Sequence, residues 1–461
     1  MLMEHGVTIA YLIASCCFIV GIKKLSSPKT AVPGNYIGAF GMLIAVVPTL
    51  AKNEVFNWQI IGAGIAIGVV IGAVFAARIG MTSMPQLVAV LNGFGGGASA
   101  LVATAELVRQ GGEATVFVSV PVVLGALIGW VTLTGSFIAF AKLQELMTTA
   151  PITYPGQNFM NAILVIVLLG LGVGVIMDPA NMSLYWGLSA LSLVFGVLIV
   201  IPIGGADMPV VIALLNSYSG LAACATGFAI HNDALIISGS LVGASGLILT
   251  AIMRKAMNTS LANVLFSAFG SAPEASEGGG SGPSGTVRGY DLDDAAIVFD
   301  AAQSVIIVPG YGMAVAQAQH AVRELADLLK ERDVEVRYAV HPVAGRMPGH
   351  MNVLLPEANV PYEELLDLDQ VNPYFPEADV AIVVGANDIT NPAARHDKSS
   401  PIFGMPILDV DRARTIMICK RGMSAGFAGV QNELFYDPKT MMLFGDAKGT
   451  IMGLTSAIKE L

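Results

Sequence analysis

Long apolar runs fill the first half of this chain, and short apolar runs alternating with polar stretches fill the second. A bilayer-crossing helix needs about 20 mostly apolar residues. Nine stretches meet that requirement: roughly 6–22, 33–51, 58–77, 84–106, 115–141, 160–177, 183–202, 208–230 and 234–253. The fourth and fifth are the least uniform, because glycines and polar residues interrupt them. Gly62, Gly64, Gly68 and Gly72, and again Gly239, Gly243 and Gly246, predict close helix packing. Past residue 290 the pattern changes. Apolar runs at 305–308, 334–339, 380–384, 415–419 and 441–444 read as strands, with a helix over about 313–332 and another after 447. Strands alternating with helices predict a parallel sheet covered on both faces. Between the two patterns, residues 262–289 are rich in Gly, Ser and Pro and read as a flexible linker. The predicted architecture is an α-helical membrane bundle of about nine helices over 1–261, the linker, and a Rossmann-like α/β domain over 290–461.

Composition supports the division. The 461 residues are 54% hydrophobic and 13% charged, and mean hydropathy is +0.69; soluble domains carry about 25% charged residues. The net charge of −10 belongs mostly to the second half, and no basic face offers itself to nucleic acid. The four cysteines and the histidines lack metal-ligand spacing; His320, His350 and His396 read as surface residues. Orientation follows from Lys and Arg in the short loops. One side holds Lys23, Lys24, Lys29, Arg78, Lys142, Arg254 and Lys255, and the other holds Lys52 and Arg109. The richer side is cytoplasmic, which puts the N-terminus outside and the α/β domain in the cytoplasm.

Chemistry concentrates at the expected strand ends. Gly310-Tyr311-Gly312-Met313-Ala314-Val315 has the form G-x-G-x-x-V between a strand and a helix. In dinucleotide-binding turns, glycines permit the tight turn and close approach to a pyrophosphate, and the helix start supplies N–H groups. NAD-specific sites place an acid at the end of the second strand, and here that strand runs into His341. Lys420-Arg421 follow a later strand instead. Two adjacent cations suit a 2′-phosphate, hence NADP, although a solvated basic pair has the same spacing. The loop from His341 through Val343, Ala344, Gly345 and Arg346 to Asn352 reads as a pyrophosphate cradle or an ordinary Gly/Pro turn. Asp388, closing Gly385-Ala386-Asn387-Asp388, reads as a group near the nicotinamide or an Asx turn.

Inside the spans, Asn92, Ser136 and Asn216 are mid-membrane polar residues, which line watered paths or serve as interhelical glue. Asp207 begins the eighth span and reads as an N-cap. Two other architectures use the same parts. A transporter or channel gated by a dinucleotide-sensing domain predicts an ion filter or intramembrane acids. A membrane anchor for a soluble NADP reductase predicts an acid–base pocket and no polar residues mid-span.

With Gly310–Gln317, Val343–Asn352, Gly385–Asp388, Lys420-Arg421 and Gly445-Asp446-Ala447-Lys448 in that order, and the membrane motif of residues 206–220, the whole chain resembles the beta subunit of the proton-translocating NAD(P) transhydrogenase. The resemblance implies hydride transfer from NADH to NADP⁺ coupled to inward proton movement across a bacterial plasma (inner) membrane. It implies NADP(H) on this chain and NAD(H) on an alpha subunit that brings further transmembrane helices, in a dimer of alpha–beta units. This chain alone is then inactive. It assigns cofactor contacts to Gly310, Tyr311, Gly312, Met313, Ala314, Val315, Val343, Ala344, Gly345, Arg346, Gly385, Ala386, Asn387, Asp388, Lys420, Arg421, Gly426, Phe427, Gly445, Asp446 and Ala447. Asp388 takes a catalytic role beside the nicotinamide, residues 431–448 act as a lid, and Asn92, Ser136, Asp207 and Asn216 lie on the proton path. Many members carry a histidine where this chain has Asn92, and an amide does not titrate near neutral pH.

Overall fold

The structure, a computed structural model, describes residues 2–25, 28–52, 57–80, 83–149, 151–256, 286–346, 349–398, 400, 402–426 and 428–461. The chain divides into two compact units, a helical one up to Ala251 and an α/β one containing residues 286–461. Most of the expected linker, 262–285, lies outside the described residues. Its last residue, Gly289, pairs with Met442 at the edge of the sheet, so the α/β unit begins earlier than 290.

Among the described residues the helical unit holds nine helices long and apolar enough to span a bilayer. They are α1 (Leu2–Leu25), α2 (Pro28–Lys52), α3 (Trp58–Arg78), α4 (Met84–Gln110), α5 (Val116–Leu143), α6 (Gln157–Met177), α7 (Met182–Val200), α8 (Met208–Ala229) and α9 (Asp233–Ala256). The two stretches least uniform in sequence, α4 and α5, form the centre with α8. Their glycines are the reason. In lipid no hydrophobic force draws helices together, so close backbone contact must do so. A Cβ on Gly96 would lie 2.7 Å from Thr132 Cβ and 2.8 Å from the Gly129 carbonyl, so α4 and α5 touch backbone to backbone there. Gly220 of α8 meets Gly239 and Gly243 of α9 in the same way, and Gly246 meets Ser217. The third span corrects the sequence reading. A Cβ on Gly62, Gly64, Gly68 or Gly72 would meet nothing within 4 Å, and no residue of α3 is buried. Lys142, fully buried at the end of α5, donates to the Ile201 and Ile203 carbonyls at 2.7 Å, closing the end of α7.

The α/β unit opens with α10 (Leu292–Asp300), which the sequence reading lacked. Six parallel strands follow: β1 (Ser304–Pro309), β2 (Glu335–Val340), β3 (Leu365–Asp367), β4 (Val380–Val384), β5 (Thr415–Lys420) and β6 (Thr440–Phe444). Their order is β3-β2-β1-β4-β5-β6. Every β4 residue is buried, as in a parallel strand covered on both faces. The sequence yielded five strands; the edge strand β3 is only three residues and too short to show a period. The helix expected over 313–332 is two pieces, α11 (Tyr311–Val315) and α12 (Gln319–Glu331). Gln317 between them has φ 52°, a left-handed value that no helix interior accepts. Helices α13 (His350–Glu357) and α14 (Ala447–Glu460) follow β2 and β6, and two single helical turns, Leu368–Val371 and Ala393–His396, lie between them in the chain.

Candidate functional site

The order β3-β2-β1-β4-β5-β6 reverses direction between β1 and β4, and ligands of such sheets bind in the crevice beyond those two carboxyl ends. Gly310 follows β1 and Gly385 follows β4. Their loops are tied by Gly310 N–H to Val384 O and Gly312 N–H to Gly385 O, both 2.9 Å. A Cβ on Gly312 would lie 2.7 Å from Gly385 Cα, and Gly385 itself has φ 66°. The glycines therefore let two loops cross in contact. Met313 and Ala314 are wholly buried, while Val315 is exposed. α11 is only five residues long, so it brings no long helix dipole, and its start offers only local N–H groups.

The loop after β2 folds onto this turn. Arg346 lies over the Tyr311 ring at 4.5 Å, a cation–π contact. The Arg346 N–H donates to His350 Nδ1 at 3.1 Å, and Gly345, at φ 108°, wraps the same ring. His350 is buried and not on the surface, against expectation, and its Nε2 has no protein partner. Burial, and then the Arg346 charge, hold its pKa below the ordinary value. The signal for this histidine was its place directly after Gly349 in the loop. Val343 N–H donates to His341 Nδ1 at 3.3 Å, so Nε2 carries the proton and donates to Pro406 O at 2.8 Å. Burial lowers the His341 pKa to about 4. The acid of NAD sites is indeed missing from the end of β2. Asp367, opposite Val340 on β3, is engaged in a capping box with Gln370.

The loop after β5 crosses the loop after β4. Asp388 Oδ2 accepts the Ala428 N–H at 3.0 Å. A Cβ on Gly426 would lie 2.7 Å from Asp388 Cγ, so only glycine lets the chain pass the carboxylate. Asn432 Nδ2 donates to Asn387 O and Asn391 Nδ2 to Gln431 O, each at 3.0 Å. Neither Asn391 nor Asn432 was singled out in the sequence; no motif marks them. Asn387 Nδ2 and Oδ1 are buried without a partner. Lys420 turns back to the Ser424 carbonyl and over the Phe435 ring at 5.3 Å. Burial lowers its pKa, and Asp388 partly offsets that. Arg421 is exposed. Phe427 lies outside the described residues.

Gly445-Asp446-Ala447 start α14: Asp446 accepts the Gly449 N–H at 3.3 Å as N-cap, and Ala447 is buried. The expected lid over 431–448 is corrected in its second half, since 440–444 form β6 and pair with β5. The crossing segment is 424–433.

In the helical unit, Asn92 Nδ2 donates to the Ile212 carbonyl of α8 at 3.2 Å. Ser136 is fully buried, its Oγ has no partner, and its Cβ sits 3.3 Å from where a Gly93 Cβ would be. Asn216 is half-buried on α8. Asp207 holds the N-cap position of α8, but its side chain makes no capping bond, so the N-cap reading explains its place and not its carboxylate.

Known sequences resemble this chain over nearly its whole length. The family described as "NAD(P) transhydrogenase beta subunit" matches residues 7–457. A curated relative, the NAD(P) transhydrogenase subunit beta of Rhodospirillum rubrum, is 51% identical over 454 residues, covering 97% of this chain and 98% of that protein. The same subunit from a named strain of that organism has the same identity and coverage.

Proposed function

Because this chain belongs to the NAD(P) transhydrogenase beta subunit family, we propose that it binds NADP(H) over β1, β4 and β5 and carries protons through α4, α5 and α8. An alpha partner holds NAD(H). The residues fit the dinucleotide. Arg346 stands on the β2 side of the crevice, Lys420 and Arg421 stand on the β5 side, and the buried Asn387 amide between them awaits a partner. The observation that carries the reading is the position of the cations. Lys420 ends β5, two strands from β1 on the side away from β2. A 2′-phosphate held there puts the adenosine end toward β5, opposite to the sense that an acid on β2 imposes. Arg346 is left for the pyrophosphate and Asp388 for the nicotinamide end.

The nicotinamide supplies hydride chemistry, so no protein nucleophile is needed. This chain's residues bind, orient and gate. Arg421 forks onto phosphate oxygens, and Lys420 adds charge. Segment 424–433, tied to Asp388, Asn387 and Asn391, closes over the crevice. The two nicotinamide couples reduce almost equally well, so the proton supplies the drive: one charge crossing 100 mV is worth about 2.3 kcal/mol. Coupling is reciprocal, so a proton state that tightens NADP(H) must itself be stabilised by NADP(H). The basic loops place the N-terminus outside and the α/β unit in the cytoplasm of a bacterial inner membrane, with protons moving inward.

The test is NADPH and NADH binding to the purified full-length chain in detergent, in wild type and in Lys420→Ala/Arg421→Ala. Preferential NADPH binding, lost in the double variant with NADH binding unchanged, is expected. Equal affinity for the two nucleotides, or indifference to the substitution, would refute the assignment.

A further inference from the structure

One buried face of α4 repeats every seven residues. Ala89, Asn92, Gly96, Ser99, Ala103 and Glu106 follow at three- and four-residue steps, and all are buried. At 1.5 Å per residue, Asn92, Ser99 and Glu106 stack about 10 Å apart along this seam. The residues between them are small. The opposing wall is α5 and α8: Thr226 Oγ1 donates to the Ser99 carbonyl at 3.1 Å, and Asn92 reaches the Ile212 carbonyl.

Glu106 ends the series, at the edge of the span read from sequence. Its side chain is 8% exposed, whereas that of its ion-pair partner Arg109 is 71% exposed. Arg109 Nε and Nη2 donate to its two oxygens at 2.8 and 2.6 Å, and Gln110 Nε2 donates at 2.6 Å. The ionisable groups that face it are Arg109 on its own helix and His231 beyond the end of α8. The His231 ring stacks on Phe117 of α5, 6.1 Å between centroids. Here the cation lies outward and the carboxylate inward, on a spanning helix where an ionisable side chain is costly and needs a purpose.

We infer that Glu106 is the proton-exchanging group at the outer mouth of the α4–α5–α8 seam. This rests on the proton path and orientation proposed above, and it supplies the titratable group that Asn92 lacks. A proton from the outer solution forms an O–H bond on the carboxylate and frees Arg109 to solvent. Passing that proton inward restores the carboxylate and the pair; nothing is oxidised or reduced.

The test uses the complete complex with its alpha partner, reconstituted in liposomes. Proton transfer across the membrane and NADP⁺ reduction are followed while the pH on each side is varied separately. Glu106→Gln is expected to slow proton-coupled turnover at least tenfold and flatten the dependence on outer pH. Glu106→Asp restores most of both. Arg109→Gln, which keeps the carboxylate, shifts the midpoint of the outer-pH profile. Wild-type turnover and outer-pH profile in Glu106→Gln would overturn the inference, as would an unmoved midpoint in Arg109→Gln if Glu106→Gln fails to assemble. A wild-type complex that moves no protons during turnover overturns the proposed function itself, and movement from the opposite side overturns its orientation.

Discussion

Asp388→Ala separates closure of the crevice from the rest of the fold. Segment 424–433 is held over the loop after β4 by hydrogen bonds that include Ala428 N–H to Asp388 Oδ2, Asn432 Nδ2 to Asn387 O and Asn391 Nδ2 to Gln431 O, each at 3.0 Å, with Asn432 Nδ2 to Thr390 Oγ1 at 3.3 Å and Glu433 N–H to Asn391 Oδ1 at 3.5 Å. The first has a charged acceptor and is worth about 1.5–3 kcal/mol, against about 0.5–1.5 for each neutral bond. Removing the carboxylate leaves the neutral ties, so the segment stays folded but opens more often. If NADP(H) leaves only through the open form, its release quickens by about ten- to 150-fold, at about 1.4 kcal/mol per decade. Asp388→Asn keeps an oxygen acceptor and falls between. Stopped-flow displacement of bound NADPH from the full-length chain measures the rate, with Asn432→Ala as the neutral comparison. Release from Asp388→Ala within twofold of wild type would refute the view that this carboxylate holds the closing segment.

Gly385→Ala sets a left-handed residue and a backbone clash against Gly312 and Met313 together, at about 2–5 kcal/mol; a melting temperature equal to wild type contradicts the crossed-loop geometry. His341 gives the α/β unit a pH dependence. The folded state keeps it neutral to about pH 4, while the unfolded chain takes up a proton below about 6.5. Its contribution is therefore whole above pH 6.5 and lost as pH falls toward 4, about 3 kcal/mol in all. His341→Asn should flatten unfolding free energy over that window, and an unchanged slope counts against the assignment. Gly220→Ala brings a Cβ to 2.8 Å from the Gly239 carbonyl and should lower the bundle's thermal stability, whereas Gly64→Ala should leave it unchanged; equal effects would show that α8 and α9 do not cross in backbone contact.

Much of this was legible because bilayers and parallel sheets impose long, simple patterns. The nine apolar runs correspond to nine long apolar helices among the described residues, and Gly310, Gly385 and Lys420 fell at strand ends as expected. What escaped depends on contacts that leave no periodic trace. The break at Gln317 is one backbone angle, and β3 is three residues long. The same kind of glycine spacing packs α9 against α8 but leaves α3 bare, because spacing records what a helix permits and not what lies beside it. Residues 424–426 and 428–432 belong to no helix or strand and are placed by two asparagines and one aspartate that only the fold brings together.

The bareness of α3 has a consequence for biogenesis. A helix with no buried residue draws little from its siblings, so its place in the bilayer rests on its own partitioning, for which a mean hydropathy of 2.5 over its most apolar 18 residues is ample. During synthesis it can settle as soon as it leaves the insertion machinery, before α4, α5 and α8 exist to receive it. Its sequence is then free to drift among apolar residues without cost to the rest of this chain, while a single charge introduced near its middle would threaten the threading of every later span.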